Sequence, residues 1–237
     1  DEQSKFIRPK DMNGNFIEPF DPRSKNEFCE GNSWSYTYYV PHDIQSIINL
    51  TGGEDKFNKK LNGAFKKSQI KKYYAKKPAT RRDKAYINYG NENMRFTACL
   101  FNYSNAPHLA QKWSRKVKTS LFSGIGKNGF REDDDCGLSA GTSLLLGLGL
   151  FDFKGGAYEN PEYEITSPIF DEITIKLDNQ YYSGNTLTMK TYNNSKKNQY
   201  IEKILFNGNE IKNFRIKHNE LIKGGLLEIF LTKKQPC

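Results

Sequence analysis

Apolar positions along the chain follow a helical period over the first two-thirds and a period of two thereafter. Pro41-His42-Asp43 opens a run with Ile44, Ile47 and Ile48 at helical intervals, and Gly52-Gly53 closes it. Proline and an acid suit a first helical turn, and glycine suits the left-handed residue that ends a helix. Phe57, Leu61, Ala64 and Phe65 keep the same period and predict a second helix. A third helical stretch is expected from Asn93 to Tyr103. Pro107 begins a fourth, in which Leu109, Trp113, Val117 and Leu121 recur every four residues. A fifth, over about Leu138–Leu150, is apolar nearly all round, the pattern of a helix buried on every side.

Beyond Gly155-Gly156 the texture changes. Ile173–Leu177, Leu187–Lys190 and Tyr200–Ile204 alternate, and Leu226–Leu231 closes the chain in the same style. Turn formers separate them at Asp178-Asn179, Asn207-Gly208 and Gly224-Gly225. Short strands with turns between them predict an antiparallel sandwich. The first 35 residues, punctuated by Pro9, Gly14, Pro19 and Pro22, read as extended loop with one short hairpin at Met12–Asn15. The expectation is therefore an α+β chain in two parts, helices over 1–155 and an antiparallel sheet region over 156–237. Both parts look incomplete. Five helices with loops at one end suit a portion of a larger helical array, and a small sheet wants a second layer.

Composition fits a packed core: of 237 residues, 36% are hydrophobic and 14% aromatic. Mean hydropathy is −0.77. No apolar run approaches the roughly 18 residues of a membrane span, and the longest, Leu144–Phe151, is interrupted by two glycines. No leader or initiating Met stands at Asp1, so the chain reads as a processed product and secretion stays open.

The net charge of +9 is local. Eleven basic residues and one acid, Asp83, fall between Lys59 and Lys84, so that segment carries the whole excess and the remainder is close to neutral. Nucleic-acid binding needs positive charge spread over a face with a reading element, so no nucleic-acid partner is expected. The segment reads as a solvated basic loop, the competing reading being a surface for an acidic partner or membrane.

Cys29, Cys99, Cys136 and Cys237 form no CxxC pair, and His42, His108 and His218 are scattered. Zinc coordination and a Ser-His-Asp triad are both disfavoured. Gly124–Gly129 resembles a phosphate loop but lacks the Gly-Lys-Ser/Thr ending and a preceding strand, which argues against nucleotide binding. Sequons for N-glycosylation occur at Asn49, Asn102 and Asn193. They matter only in a eukaryotic secretory route, and Asn-rich chains produce them by chance.

Three polar clusters stand beside glycines and aromatics at loops entering helices: Cys29–Tyr36, Tyr89–Asn93 and Glu132–Gly137. Consecutive acids such as those at 132–135 repel one another, and a helix N-terminus offsets part of that cost. They read either as N-capping residues or as a general base or cation site. Glu30 facing them across a pocket would complete an acid–base pair, with one carboxyl protonated and one ionised. Trp34, Tyr36, Tyr38 and Tyr89 suit sugar stacking and equally suit ordinary core packing.

At these residues the chain resembles glycoside hydrolase family 92. The matching stretches run in order from Phe20-Asp21-Pro22 and Glu30-Gly31-Asn32-Ser33-Trp34-Ser35-Tyr36 through Val40-Pro41-His42-Asp43 and Gly90-Asn91-Glu92. They continue with Asn102-Tyr103, Asp134-Asp135-Cys136-Gly137, Ser167-Pro168-Ile169-Phe170-Asp171 and Lys223-Gly224-Gly225-Leu226-Leu227-Glu228. The family comprises exo-acting, calcium-dependent, inverting α-mannosidases, and the resemblance covers only about its last third. It implies the later helices of an (α/α)6 barrel followed by a C-terminal antiparallel β-sandwich region, with an upstream chain or segment completing the barrel. It implies Glu30 as general acid and Asp133 and Asp135 as the residues that activate water. It further implies calcium held near Asn91 and Glu92, and a mannose-containing glycan at Trp34, Tyr89 and Glu92. An extracytoplasmic location follows from the same resemblance.

The departures are specific. Tyr89 stands where the family commonly has histidine, Arg95-Phe96 replace further histidines, and Gly141 follows Ser139-Ala140 in place of tryptophan. They favour, as the alternative, a catalytically degenerate relative acting as a structural or glycan-binding protein. If Glu30 and Asp135 share a pocket, Cys29 and Cys136 come close enough to bridge, which would indicate an oxidising compartment. The competing reading is a buried free thiol, and Cys237 is placed to tether a partner chain.

Overall fold

The computed structural model describes residues 1–69, 85–122, 137–152, 154, 156 and 158–235. The acids and cysteine at 132–136, the glycine-rich stretch 124–129 and Cys237 lie outside the described residues, as does the basic segment beyond Gln69.

The chain divides into two compact units. The first comprises Asp1–Thr97, Tyr103–Asn105 and Ser120–Ser139, and the second Ala98–Asn102, Ala106–Thr119 and Ala140–Cys237. Helix gives way to strand near Leu150, but the units divide differently, because most of α4 (Pro107–Leu121) and α5 (Leu138–Leu148) groups with the strands.

In the first unit, α1 (Ser33–Tyr38), α2 (Ile44–Thr51) and α3 (Glu54–Gln69) carry most of the regular structure. Asp43 caps α2 by accepting from the Ser46 N–H, and Gly52 ends it in the left-handed conformation at φ +98°. Phe57, Leu61, Ala64 and Phe65 form the buried stripe of α3. Lys59, Lys66 and Lys67 lie on this helix rather than in a loop, and they project to solvent from its outer face. The stretch expected as one helix from Asn93 to Tyr103 is instead two 3-10 segments, Glu92–Met94 and Thr97–Tyr103. Its residues from Asn93 to Phe101 are buried, so no polar stripe remains for an amphipathic α-helix.

Among the described residues the second unit holds eight strands. A three-stranded antiparallel sheet has the order β1 (Leu150–Phe151), β2 (Glu162–Ile165), β7 (Arg215–Lys217). A five-stranded sheet has the order β3 (Glu172–Lys176), β4 (Thr186–Tyr192), β8 (Gly225–Thr232), β5 (Tyr200–Phe206), β6 (Asn209–Glu210). This sheet is mixed, not antiparallel as expected. The last strand, β8, enters between β4 and β5 and runs parallel to β4, with Met189 opposite Leu227. The intervening β7 and the short helix α6 (His218–Leu221) return the chain to the end where β4 begins. A register shift between Ile201 and Lys203 explains how Ile201 and Ile204 both reach the core from one strand. Leu150, Ile165 and Ile216 from the smaller sheet join Leu187, Met189, Leu227 and Ile229 from the larger one in a single apolar cluster.

Helix α5 departs from its expected burial. Leu138 is 40% and Leu144 59% exposed. Both leucines are left partly uncovered among the described residues.

Candidate active site

Gly31 turns the chain at φ +77°, a conformation glycine adopts without strain. A β-carbon there would sit 2.6 Å from Ser35 Oγ, so the position also lacks room for any other residue. The next residue, Asn32, is the N-cap of α1. Its Oδ1 accepts from the Trp34 and Ser35 amides, and its Nδ2 donates to the Ala85 carbonyl at 3.0 Å. Cap and turn together fix the backbone on which Glu30 stands at the surface.

A second loop meets it. Asn88 Oδ1 accepts from the Gly90 amide, and Arg95, itself buried, donates through Nη2 to the Gly90 carbonyl at 3.2 Å. Asn91 occupies the N-cap of the first 3-10 segment, yet its side chain makes no cap bond. Its Nδ2 donates to Glu30 Oε2 at 2.6 Å instead, joining loops 61 residues apart. Asn91 Oδ1 is buried with no partner among the described residues. Glu92, next along, is exposed at the start of the 3-10 segment.

The aromatics divide. Tyr89 has no accessible surface and lies 6.3 Å from Phe65, ring to ring, so it packs as a core residue. Tyr38 is equally buried, and desolvation pushes its phenol well above the ordinary range. Trp34 is half-buried, edge-on to Phe6 at 4.9 Å and to Tyr86 at 5.2 Å. Its indole N–H is buried without a partner among the described residues. Lys60 of α3 lies 3.5 Å from the Phe6 ring centroid and donates to the Lys5 carbonyl. Burial, and then the neighbouring Lys5 charge, bring its pKa down to about 8. Tyr36 stacks on Phe28 at 5.0 Å.

The structure thus brings Glu30 and Asn91 together, with Glu92 one residue beyond. Asp133 and Asp135 lie outside the described residues. Cys29 is an exposed thiol with no disulfide partner among the described residues, and Cys136, with which a bridge was expected, lies outside them. Sequence reasoning passed over Asn32 and Arg95 as site-building residues. Arg95 registered only as a departure from a family pattern, and its strap across the turn shows only in three dimensions.

Calcium takes oxygen ligands from carboxylates and carboxamides. The orphaned Asn91 Oδ1 and the adjacent Glu92 carboxylate fit part of such a shell. The described residues hold no cluster of three or more Asp, Glu, His or Cys, so they do not form a complete one. An acid, a carboxamide and a nearby exposed carboxylate are the equipment of acid–base hydrolysis at a polyhydroxyl substrate.

The fold has solved counterparts among glycosidases. A family GH92 α-mannosidase of Bacteroides thetaiotaomicron superposes with a TM-score of 0.80 at 27% identity, over 99% of this chain and 29% of that one. Its complex with mannoimidazole superposes at 0.82 and 26% identity, over 99% of this chain and 31% of the other. A curated secreted glycosidase of unknown specificity from the fungus Arthroderma benhamiae is 28% identical over 214 residues, covering 90% of this chain. The chain spans only 24% of that relative's length. The sequence model of the glycosyl hydrolase family 92 catalytic domain matches residues 1–233, and this chain belongs to that family.

Proposed function

We propose that the chain is the acid-bearing portion of an exo-acting, inverting, calcium-dependent α-mannosidase that removes terminal mannose from glycans. The observation that carries this reading is the bond from Asn91 Nδ2 to Glu30 Oε2, which unites two separate motif loops. In the inverting scheme one carboxyl group protonates the departing oxygen while another activates water from the opposite face, some 6.5–9.5 Å away. Glu30 is assigned the first role, and Asp133 with Asp135 the second. Asn91 orients the Glu30 carboxyl. Trp34 flanks the substrate, whereas Tyr89 acts from the core by supporting the turn it precedes. Calcium, when bound by Asn91 Oδ1 and Glu92, would engage sugar hydroxyls and favour ring distortion.

An upstream segment is part of this reading. Both structural counterparts are about three times longer, and α5 leaves Leu138 and Leu144 uncovered. The segment would complete an (α/α)6 barrel, with the two sheets as its C-terminal sandwich region. The enzyme would work outside the cytoplasm, in keeping with the secreted fungal relative. No described helix is long and apolar enough to cross a membrane. In a eukaryotic secretory route Asn49 and Asn193 are the exposed sequons; Asn102 is committed to Glu164 and Ile165.

The test is proton NMR of the sugar released from an α-mannoside by the full-length protein. β-Mannose as first product, lost on chelation and in Glu30→Gln, is expected. Turnover that survives Glu30→Gln would overturn the assignment of the acid. Absence of any turnover by the full-length protein would favour the degenerate, glycan-binding alternative.

A further inference from the structure

The second unit carries a cleft of about 600 Å³ that none of the site residues enters. Its size falls in the range of small-ligand sites, ~300–1,000 Å³. Phe206, Ile211 and Ile216 contribute its apolar surface, and Asn209, Glu210 and Asn213 stand among its polar groups. Phe206 and Ile211 are half-buried residues at the margin of the apolar cluster shared by the two sheets.

The hairpin geometry places the important pair. Asn207 and Gly208 both adopt positive φ, at +49° and +83°, the two-residue turn that joins β5 to β6. Phe206 and Asn209 are therefore direct cross-strand partners. Their side chains point to the same face, about 5 Å apart at Cβ. The turn is pinned from behind, since Asn207 Oδ1 accepts from the Leu226 amide at 2.8 Å. An aromatic ring and a carboxamide are thus held side by side on a rigid ribbon.

The charges do not select an ion. Glu210 lies 4.0 Å from Lys212, Arg215 lies 4.0 Å from Glu162, and Glu220 lies 3.0 Å from Lys223. Lys212, Arg215 and Lys217 line the cleft with Glu210 and Glu220, and Glu210, Arg215 and Glu220 each have a counter-charge within 4.0 Å, so neither sign dominates as a phosphate or metal site would require. An apolar surface beside carboxamides and balanced charges suits a neutral, polyhydroxylated ring, whose C–H face covers an aromatic while its hydroxyls meet polar groups.

We infer that the cleft beside the β5–β6 hairpin is a second saccharide-binding site for a neutral stretch of the glycan, built from none of the residues assigned to catalysis. The inference rests on the glycosidase reading above. The site raises the residence of a polymeric substrate without touching the bond that is cut.

Affinity electrophoresis of the full-length protein through gels containing soluble α-mannan tests it, with hydrolysis of a small aryl α-mannoside measured alongside. Phe206→Ala is expected to weaken retention about fivefold and to leave aryl mannoside hydrolysis unchanged. Asn209→Ala, an exposed position with no core role, guards against misfolding and is expected to weaken retention in the same direction. Unaltered retention in both variants overturns the site, including the case in which another part of the protein covers the cleft. Failure of the wild type to hydrolyse the aryl mannoside overturns the catalytic reading instead, and the retention assay still reports on the cleft.

Discussion

Asn91 donates from Nδ2 to Oε2 of Glu30 at 2.6 Å while its own Oδ1 stays buried and unpaired among the described residues. On the proposed mechanism one face of the carboxamide steers the acid, and the other meets the cation or a sugar hydroxyl. Asn91→Ala removes both functions, and Asn91→Asp sets a carboxylate against Glu30. On the proposed mechanism each variant is expected to lower kcat by about 10²-fold, the low end for mispositioned general acids. The pH–rate profile separates them. Asn91→Asp should move the limb assigned to Glu30 upward, since a neighbouring negative charge disfavours ionisation, and Asn91→Ala should flatten the calcium dependence.

Gly31→Ala tests the turn before the acid. The new methyl must adopt a left-handed backbone and meets Ser35 Oγ at 2.6 Å. A loss of about 1–3 kcal/mol in unfolding free energy is expected from the strained backbone, read by urea denaturation. Gly31→Ala with Ser35→Gly removes the clash but not the strain, and should recover only part of that loss.

Arg115 offers a test in the second unit. It is buried on α4, where Nη1 donates to Ser167 Oγ at 3.1 Å and to the Asn198 carbonyl at 2.6 Å, and Nη2 donates to Asn194 Oδ1. Desolvation lowers its pKa, partly offset by Asp171. Arg115→Ala leaves several buried acceptors unmet and is expected to cost about 3 kcal/mol, measured by urea denaturation. Arg115→Lys should recover less than half, because an ammonium cannot reproduce the fork of the guanidinium.

Lys60 predicts an alkaline effect. Its folded pKa, about 8, is below the ordinary 10.5. Between those values the unfolded chain binds more protons than the folded one, so this lysine makes stability rise with pH from about 8 toward 10.5. Below pH 8 the buried charge opposes folding. Thermal midpoints across this range should climb less steeply in Lys60→Met than in the parent. Equal slopes would place Lys60 in a wetter setting than its contacts with Phe6 and the Lys5 carbonyl indicate.

Local signals carried much of the architecture. The helix start beside Pro41-His42-Asp43, the Gly52 stop and the four-residue spacing in α4 are near-neighbour effects; the stop and the spacing lie where the pattern placed them, while Asp43 caps the helix from just outside its first turn. Four of the five strands in the larger sheet, and the Asn207-Gly208 turn, were equally legible because strand alternation and turn chemistry act over a few residues. The motif loops at Glu30 and Asn91 could be named from the sequence because their residue types are unusual and closely spaced.

What only tertiary structure decided depends on partners distant in the chain. Tyr89 looked like a site aromatic and is a core one, since nothing local distinguishes a ring facing Phe65 from a ring facing a sugar. The insertion of β8 parallel to β4 depends on a return path through β7 and α6, which alternation does not encode. Burial of α5 failed as an expectation because apolarity states a need for cover without stating what supplies it. The bond between Glu30 and Asn91 spans 61 residues. Its existence required two turns, one set by Gly31 and Asn32 and the other by Asn88 and Arg95, to present their side chains to the same point in space.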